Sequence, residues 1–172
     1  MYKIRDIAWT DLLDVIETYY SFYDEVNDNR DLGLILYSSK PSFEDEVKWF
    51  SDRIIDVRAG RVVMKVAEVD GRVVGWCDIV PLRINSEVQH VGVLGILVRR
   101  GYRGKGLGSS LLRSALEEGR SKFSKVRLEV FSVNEVAIRL YERAGFNRIG
   151  VFPREVRRGS AFFDVIVMEY YY

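Results

Sequence analysis

Residues 91–112 read VGVLGILVRRGYRGKGLGSSLL, and the fold turns on this stretch. The apolar run Val91–Val98 predicts a strand. A basic, glycine-dense turn, Arg99–Gly108, comes next, and Leu107, Leu111, Leu112, Ala115 and Leu116 then keep helical spacing. Strand, glycine turn and helix start in succession make a phosphate cradle. The first N–H groups of a helix have no partner within it, and the helix dipole favours an anion there. Arg99, Arg100, Arg103 and Lys105 add positive charge at the same place.

Working outward, the N-terminal side predicts a short strand over Tyr2–Asp6, a helix from Asp11 to about Asp24 capped by Thr10, and an aperiodic segment, Val26–Pro41. Ser42-x-x-Asp45 matches a capping box and opens a helix to about Arg58, with Phe43, Val47, Phe50 and Ile54 as its buried stripe. Asp70-Gly71 joins two β-rich runs, Arg61–Val69 and Arg72–Val80, as a hairpin. A third antiparallel strand is predicted from Ile84 through His90 to Val98. On the C-terminal side come a helix over about Gly106–Phe123, a strand over Lys125–Phe131, and a helix from Asn134 to Ala144 stopped by Gly145. Strands Phe146–Phe152 and Ser160–Tyr170 finish the chain, joined through Val156–Gly159. The order predicts an α/β (α+β) fold in one domain over residues 1–172, with a mixed sheet.

Composition narrows the function. The chain has 172 residues, 48% hydrophobic and 30% charged, with a net charge of +1; this is an ordinary globular balance without general polyanion affinity. One cysteine, Cys77, and one histidine, His90, argue against a disulfide framework and a metal site. The N-terminus lacks an apolar signal region, and no apolar run reaches the roughly 18 residues of a membrane span. A cytoplasmic protein that binds neither nucleic acid nor membrane is the expectation.

The glycine turn has three readings. A P-loop would need Gly at 99 and Ser or Thr at 106, where Arg99 and Gly106 stand. A dinucleotide-binding turn is a near miss at Gly104-x-Gly106-x-x-Ser109, with acidic Glu129 about twenty residues on. Yet three hairpin-joined strands precede it, which does not suit a parallel, doubly wound sheet. Arg103-Gly104-Lys105-Gly106-Leu107-Gly108, followed by Asn134-x-x-Ala137-Ile138-x-Leu140-Tyr141-x-x-x-Gly145-Phe146, resembles the GNAT superfamily of acetyl-CoA-dependent N-acetyltransferases.

That resemblance implies a twisted sheet of about seven strands and four helices, splayed at the cofactor site. It implies acetyl-CoA held by the loop N–H groups of Arg103, Gly104, Lys105, Gly106, Leu107, Gly108 and Ser109. The strand at Ile96, Leu97 and Val98 pairs with the pantetheine, and Asn134, Ala137 and Tyr141 complete the cofactor site. The acetyl group passes directly to an amine, with Tyr141 as the acid that protonates the departing thiolate. Many relatives carry a glutamate where this chain has Val93. The candidates left for moving the amine proton are His90, Glu129, Asp78, Glu87 or an ordered water. Aromatic residues and the acids Asp24, Glu25, Asp28, Asp31, Glu44, Asp45 and Glu46 suggest a cationic small amine, amino acid or protein amine as acceptor. The Tyr170-Tyr171-Tyr172 end offers a homodimer surface. The alternative is an acetyl-CoA-binding sensor that has lost catalysis with the glutamate.

Overall fold

The computed structural model describes residues 1–84 and 86–172. Seven strands and four helices follow in the order β1 (Tyr2–Asp6), α1 (Leu12–Asp28), α2 (Phe43–Arg58), β2 (Val63–Val69), β3 (Arg72–Pro81), β4 (Val91–Val98), α3 (Leu107–Gly119), β5 (Lys125–Phe131), α4 (Glu135–Ala144), β6 (Asn147–Arg158) and β7 (Ala161–Tyr171). They build one sheet in the order β1-β2-β3-β4-β5-β7-β6. Every pairing is antiparallel except β4 with β5, whose crossover is the glycine turn and α3.

The helices cover opposite faces. Helices α3 and α4 pack on one face through Leu111, Leu112, Ala115 and Ile138 against Val126, Leu128 and Met168. On the other, α1 and α2 bring Val15, Phe50 and Ile54 against Met64, Val66, Val73 and Trp76. Strand alternation sorts the residues between the two cores.

Several boundaries differ from the sequence reading. Thr10 does not cap α1. A single 3-10 turn, Trp9–Asp11, leads into it, and the Asp11 carboxylate takes the Ala8 N–H at 2.8 Å and a forked pair from Arg5. Ser42 does cap α2, accepting the Asp45 N–H at 3.1 Å. The buried face of α2, however, is Glu46, Phe50 and Ile54, while Phe43 is 47% exposed. The third strand begins at Val91 because residues 86–90 form turns; Asn85 lies outside the described residues. The Asp70-Gly71 turn is as predicted, with positive φ at both positions. Residues 156–158 belong to β6 rather than to a connection. The terminal tyrosines divide: Tyr170 and Tyr172 pack onto the core, the Tyr172 hydroxyl donating to the Leu116 carbonyl at 2.8 Å, and Tyr171 is exposed.

One buried charge secures β5 to β7. Glu169, 2% exposed, accepts from Lys125 at 2.8 Å, Arg127 at 2.9 Å and the Tyr171 hydroxyl. Burial alone would raise its carboxyl, but the donors outweigh it and draw the pKa from 4.5 to about 2. A depressed carboxylate stabilises the fold above its unfolded pKa and loses that contribution as pH falls through 4.5 towards 2. Glu169→Gln is expected to cost about 2–3 kcal/mol at pH 7, or a Tm drop of roughly 5–10 °C. Thermal melts at successively lower pH should show the gap closing by about pH 2. A gap independent of pH would mean that packing, not charge, accounts for the loss.

Candidate active site

The glycine turn takes the shape its residues require. Gly101, Gly104 and Gly106 all have φ between +74° and +88°, a region costly for residues with a Cβ. Gly106 is the N-cap of α3, and the first helical hydrogen bond runs from the Ser110 N–H to the Gly106 carbonyl at 3.1 Å. The N–H groups of Leu107, Gly108 and Ser109 are therefore free for an anion.

The arginines of the turn do something other than the sequence reading expected. Arg103 forms a forked pair with Glu25 of α1 and donates to the Val98 carbonyl at 2.6 Å. Arg99 reaches Glu17 at 3.0 Å and Arg100 reaches Asp28 at 3.3 Å. These three fasten the loop to α1 instead of standing free for phosphate. Lys105 donates to the Gly101 carbonyl at 2.8 Å and closes the loop on itself. Nothing local in the sequence marks the three arginine–carboxylate pairs, because their partners lie some 70–80 residues away in the chain.

Next to the loop the sheet opens. Strands β4 and β5 pair only at Val91–Lys125, Gly92–Val126 and Val93–Arg127. Beyond that the edge of β4 facing β5 carries no strand, although β5 remains paired with β7 along its whole length. The gap is a cleft of about 410 Å³ lined by Leu94 to Val98, Arg103, Gly104, Gly108, Glu129 to Phe131, Asn134, Ala137, Leu140 and Tyr141. It thus gathers Ile96, Leu97, Val98, Arg103, Gly104, Gly108, Glu129, Asn134, Ala137 and Tyr141 of the sequence-predicted set. Gly106, Leu107 and Ser109 lie at the adjoining loop–helix junction. Asn134 caps α4, accepting the Ala137 N–H at 3.2 Å.

Tyr141 reaches the cleft from α4. Its residue is 7% exposed and its ring packs on Phe146. Burial pushes its phenol above the usual range, so the hydroxyl stays protonated at neutral pH. No hydrogen bond within the described residues occupies that hydroxyl.

The four candidates for the amine proton separate. His90 lies in the turn before β4, at the closed end where the two strands pair, roughly 16 Å along the strand from Gly95. Glu87 is in the same turn. Glu129 is exposed and lines the cleft from β5. Asp78 sits on β3 directly opposite Gly95 of β4. A Cβ on Gly95 would stand 2.9 Å from Asp78 Oδ1, so the carboxylate lies over the β4 backbone where a side chain would otherwise be. Gly95 is itself exposed. Desolvation raises the Asp78 carboxyl, partly opposed by Arg53 of α2 at 3.4 Å.

Two further elements were invisible in the sequence. Gly33, Leu34 and Ile35, from the segment between α1 and α2, line the cleft. A Cβ on Gly33 would collide with the Asn134 amide. Arg158 at the end of β6 ties this segment down by donating to the carbonyls of Arg30, Leu32 at 3.0 Å and Leu34 at 2.9 Å.

No group of three or more potential metal ligands occurs among the described residues, and no helix among them is long and apolar enough to cross a membrane. The free edge of β4, the open N–H groups and the apolar cleft fit a long cosubstrate with an anionic end.

Comparison with known proteins agrees with that shape. The Acetyltransferase (GNAT) family matches residues 6–146. The chain is 26% identical to the L-methionine sulfoximine/L-methionine sulfone acetyltransferase of Pseudomonas aeruginosa, over 97% of this chain and 92% of that one. It is 29% identical to an uncharacterised N-acetyltransferase of Methanocaldococcus jannaschii over 84% of this chain, but spans only 60% of that protein's length. Its fold superposes with a TM-score of 0.83 on a GNAT superfamily phosphinothricin acetyltransferase of Sinorhizobium meliloti solved with acetyl-CoA, at 20% identity and covering 99% and 88% of the two chains. With a family match over most of its length and a sheet that opens where the glycine loop begins, the chain belongs to the GNAT family of acetyltransferases.

Proposed function

We propose that this domain moves the acetyl group of acetyl-CoA directly onto the amine of a small acceptor. The observation that carries the reading is the free edge of β4 from Leu94 to Val98 in a cleft that Tyr141 also lines. Acetyl-CoA supplies an acyl thioester, activated towards an amine.

The chain's residues then divide the work. The N–H groups from Gly104 to Ser109 hold the pyrophosphate, with Asn134 and Ala137 beside it. The backbone of Ile96, Leu97 and Val98 aligns the pantetheine as an added strand would. A β4 N–H donates to the carbonyl oxygen that gains charge as the amine adds. Tyr141 gives a proton to the departing sulfur. Asp78, lying over Gly95, receives the proton of the attacking amine and so takes the part of the carboxylate missing at Val93.

Acetyl-CoA is expected to raise the Tm of the purified protein, and thiol release is expected with at least one class in a panel of small amines and amino acids. Stabilisation with no thiol release from any of them would favour the cofactor-sensing alternative. The relatives point to small acceptors: one is named for methionine sulfoximine and sulfone, another, from Escherichia coli, for L-amino acids.

A further inference from the structure

A second hollow, of about 550 Å³, lies on the opposite face of the sheet, between α1, α2 and β3. Its walls are Tyr19, Tyr37, Trp49 and Trp76, with the Trp49 and Trp76 rings 6.2 Å apart. Glu46 opens into it and is only 7% exposed. Among the described residues no hydrogen bond or ion pair reaches its carboxylate. Its ionisable neighbours among the described residues are Asp45 and the hydroxyls of Tyr19 and Tyr20, and none of the described cations pairs with it. Asp45 is itself engaged with Ser42. Lys40 stacks over the outer Tyr20 ring, and Arg53 stacks on Trp49 while paired with Asp78.

Among the buried acids of the described residues this isolation is specific to Glu46: Asp11 has Arg5, Glu25 has Arg103, and Glu169 has Lys125 and Arg127. A buried carboxylate without a partner is costly, and a cation supplied from outside removes that cost. Aromatic faces around it add to the attraction of an ammonium group. The hollow also adjoins the cofactor cleft. Trp76 of β3 is paired with Leu97 of β4, about 4.8 Å away across the ladder, and Leu97 lines that cleft.

We propose, on the reading of the domain as an acetyltransferase, that this hollow binds the far end of the acceptor, and that the acceptor is a diamine-type molecule whose second ammonium group is held by Glu46 within the rings of Tyr19, Tyr37, Trp49 and Trp76. One amine then reaches β4 at Gly95 while the other remains charged in the hollow. An α-amino acid fits less well, because among the described residues no basic side chain lines the hollow to take its carboxylate.

The test uses tryptophan emission, since Trp49 and Trp76 are both in the walls. Titration with 1,4-diaminobutane should change the emission saturably, with an apparent Kd at least about 10-fold below that of butylamine or methionine. Glu46→Gln, nearly isosteric, should bring the diamine back to the butylamine value. Tyr37→Ala, at a position 73% exposed and outside the core, should weaken it a few-fold. In turnover, Glu46→Gln should raise KM for the diamine and leave kcat near wild type. Equal binding of all three ligands, or a diamine Kd unmoved by Glu46→Gln, overturns the proposal. Absence of thiol release with every amine, alongside intact diamine binding, would instead count against acetyl transfer and leave the cation site standing.

Discussion

Tyr141→Phe is expected to lower kcat by about 10²–10⁴-fold with little change in acetyl-CoA affinity, the range for loss of a positioned general acid. The departing thiolate has a conjugate acid near pKa 8.5, so protonating it assists its release. A phenol kept protonated by burial is a donor at every pH where the enzyme would work. Phe keeps the ring, and with it the contact to Phe146 in the α3–α4 core, so the melting temperature should hold. Because the proposed cofactor contacts are the loop N–H groups and the β4 backbone, its Kd should hold too. Single-turnover measurement separates chemistry from product release. An unchanged single-turnover rate removes Tyr141 from proton transfer, whatever the steady-state kcat does.

Tyr141 was legible in the sequence because its helix carries a local pattern: an Asn134 cap, a stop at Gly145 and helical spacing between. The glycine loop was legible for the same reason, as a strand, three positive-φ glycines and a helix start lie within twenty residues. The charges of the loop were not. Arg103 looks like a phosphate ligand until Glu25 is placed beside it, and that placement depends on how α1 packs across the sheet. The burial of Glu46 was hidden in the same way. The spacing of Phe43, Val47, Phe50 and Ile54 suggested an apolar stripe, but the faces of a helix are set by what it lies against. Here the rotation of α2 turns Phe43 outward and brings Glu46 under the aromatic residues of α1 and β3. Strand register hid the place of Asp78 in turn: counting along β4 reaches Val93 and finds no carboxylate, whereas the pairing of β3 with β4 sets Asp78 over Gly95.

That register makes Asp78→Asn the second decisive substitution. The variant should lose about 10²–10³-fold in kcat/KM near neutral pH and recover as pH rises towards the pKa of the acceptor, about 10 for an alkyl amine. Above that pH the amine arrives neutral and has less need of a protein base. The stability readout distinguishes this from a structural role. Burial raises the folded-state pKa of Asp78, so ionising it opposes folding at every pH above its unfolded value near 3.8. Asn removes that cost, and although Arg53 loses its partner at 3.4 Å, the Tm at pH 7 should be equal to or higher than wild type. A residue whose charge weakens the fold and whose removal weakens only catalysis is doing chemical work. A fall in Tm with an unaltered pH profile would assign Asp78 to holding α2 on the sheet through Arg53. Glu129 would then be the remaining carboxylate in the cleft, and Glu129→Gln would be expected to show the loss and the alkaline recovery in its place.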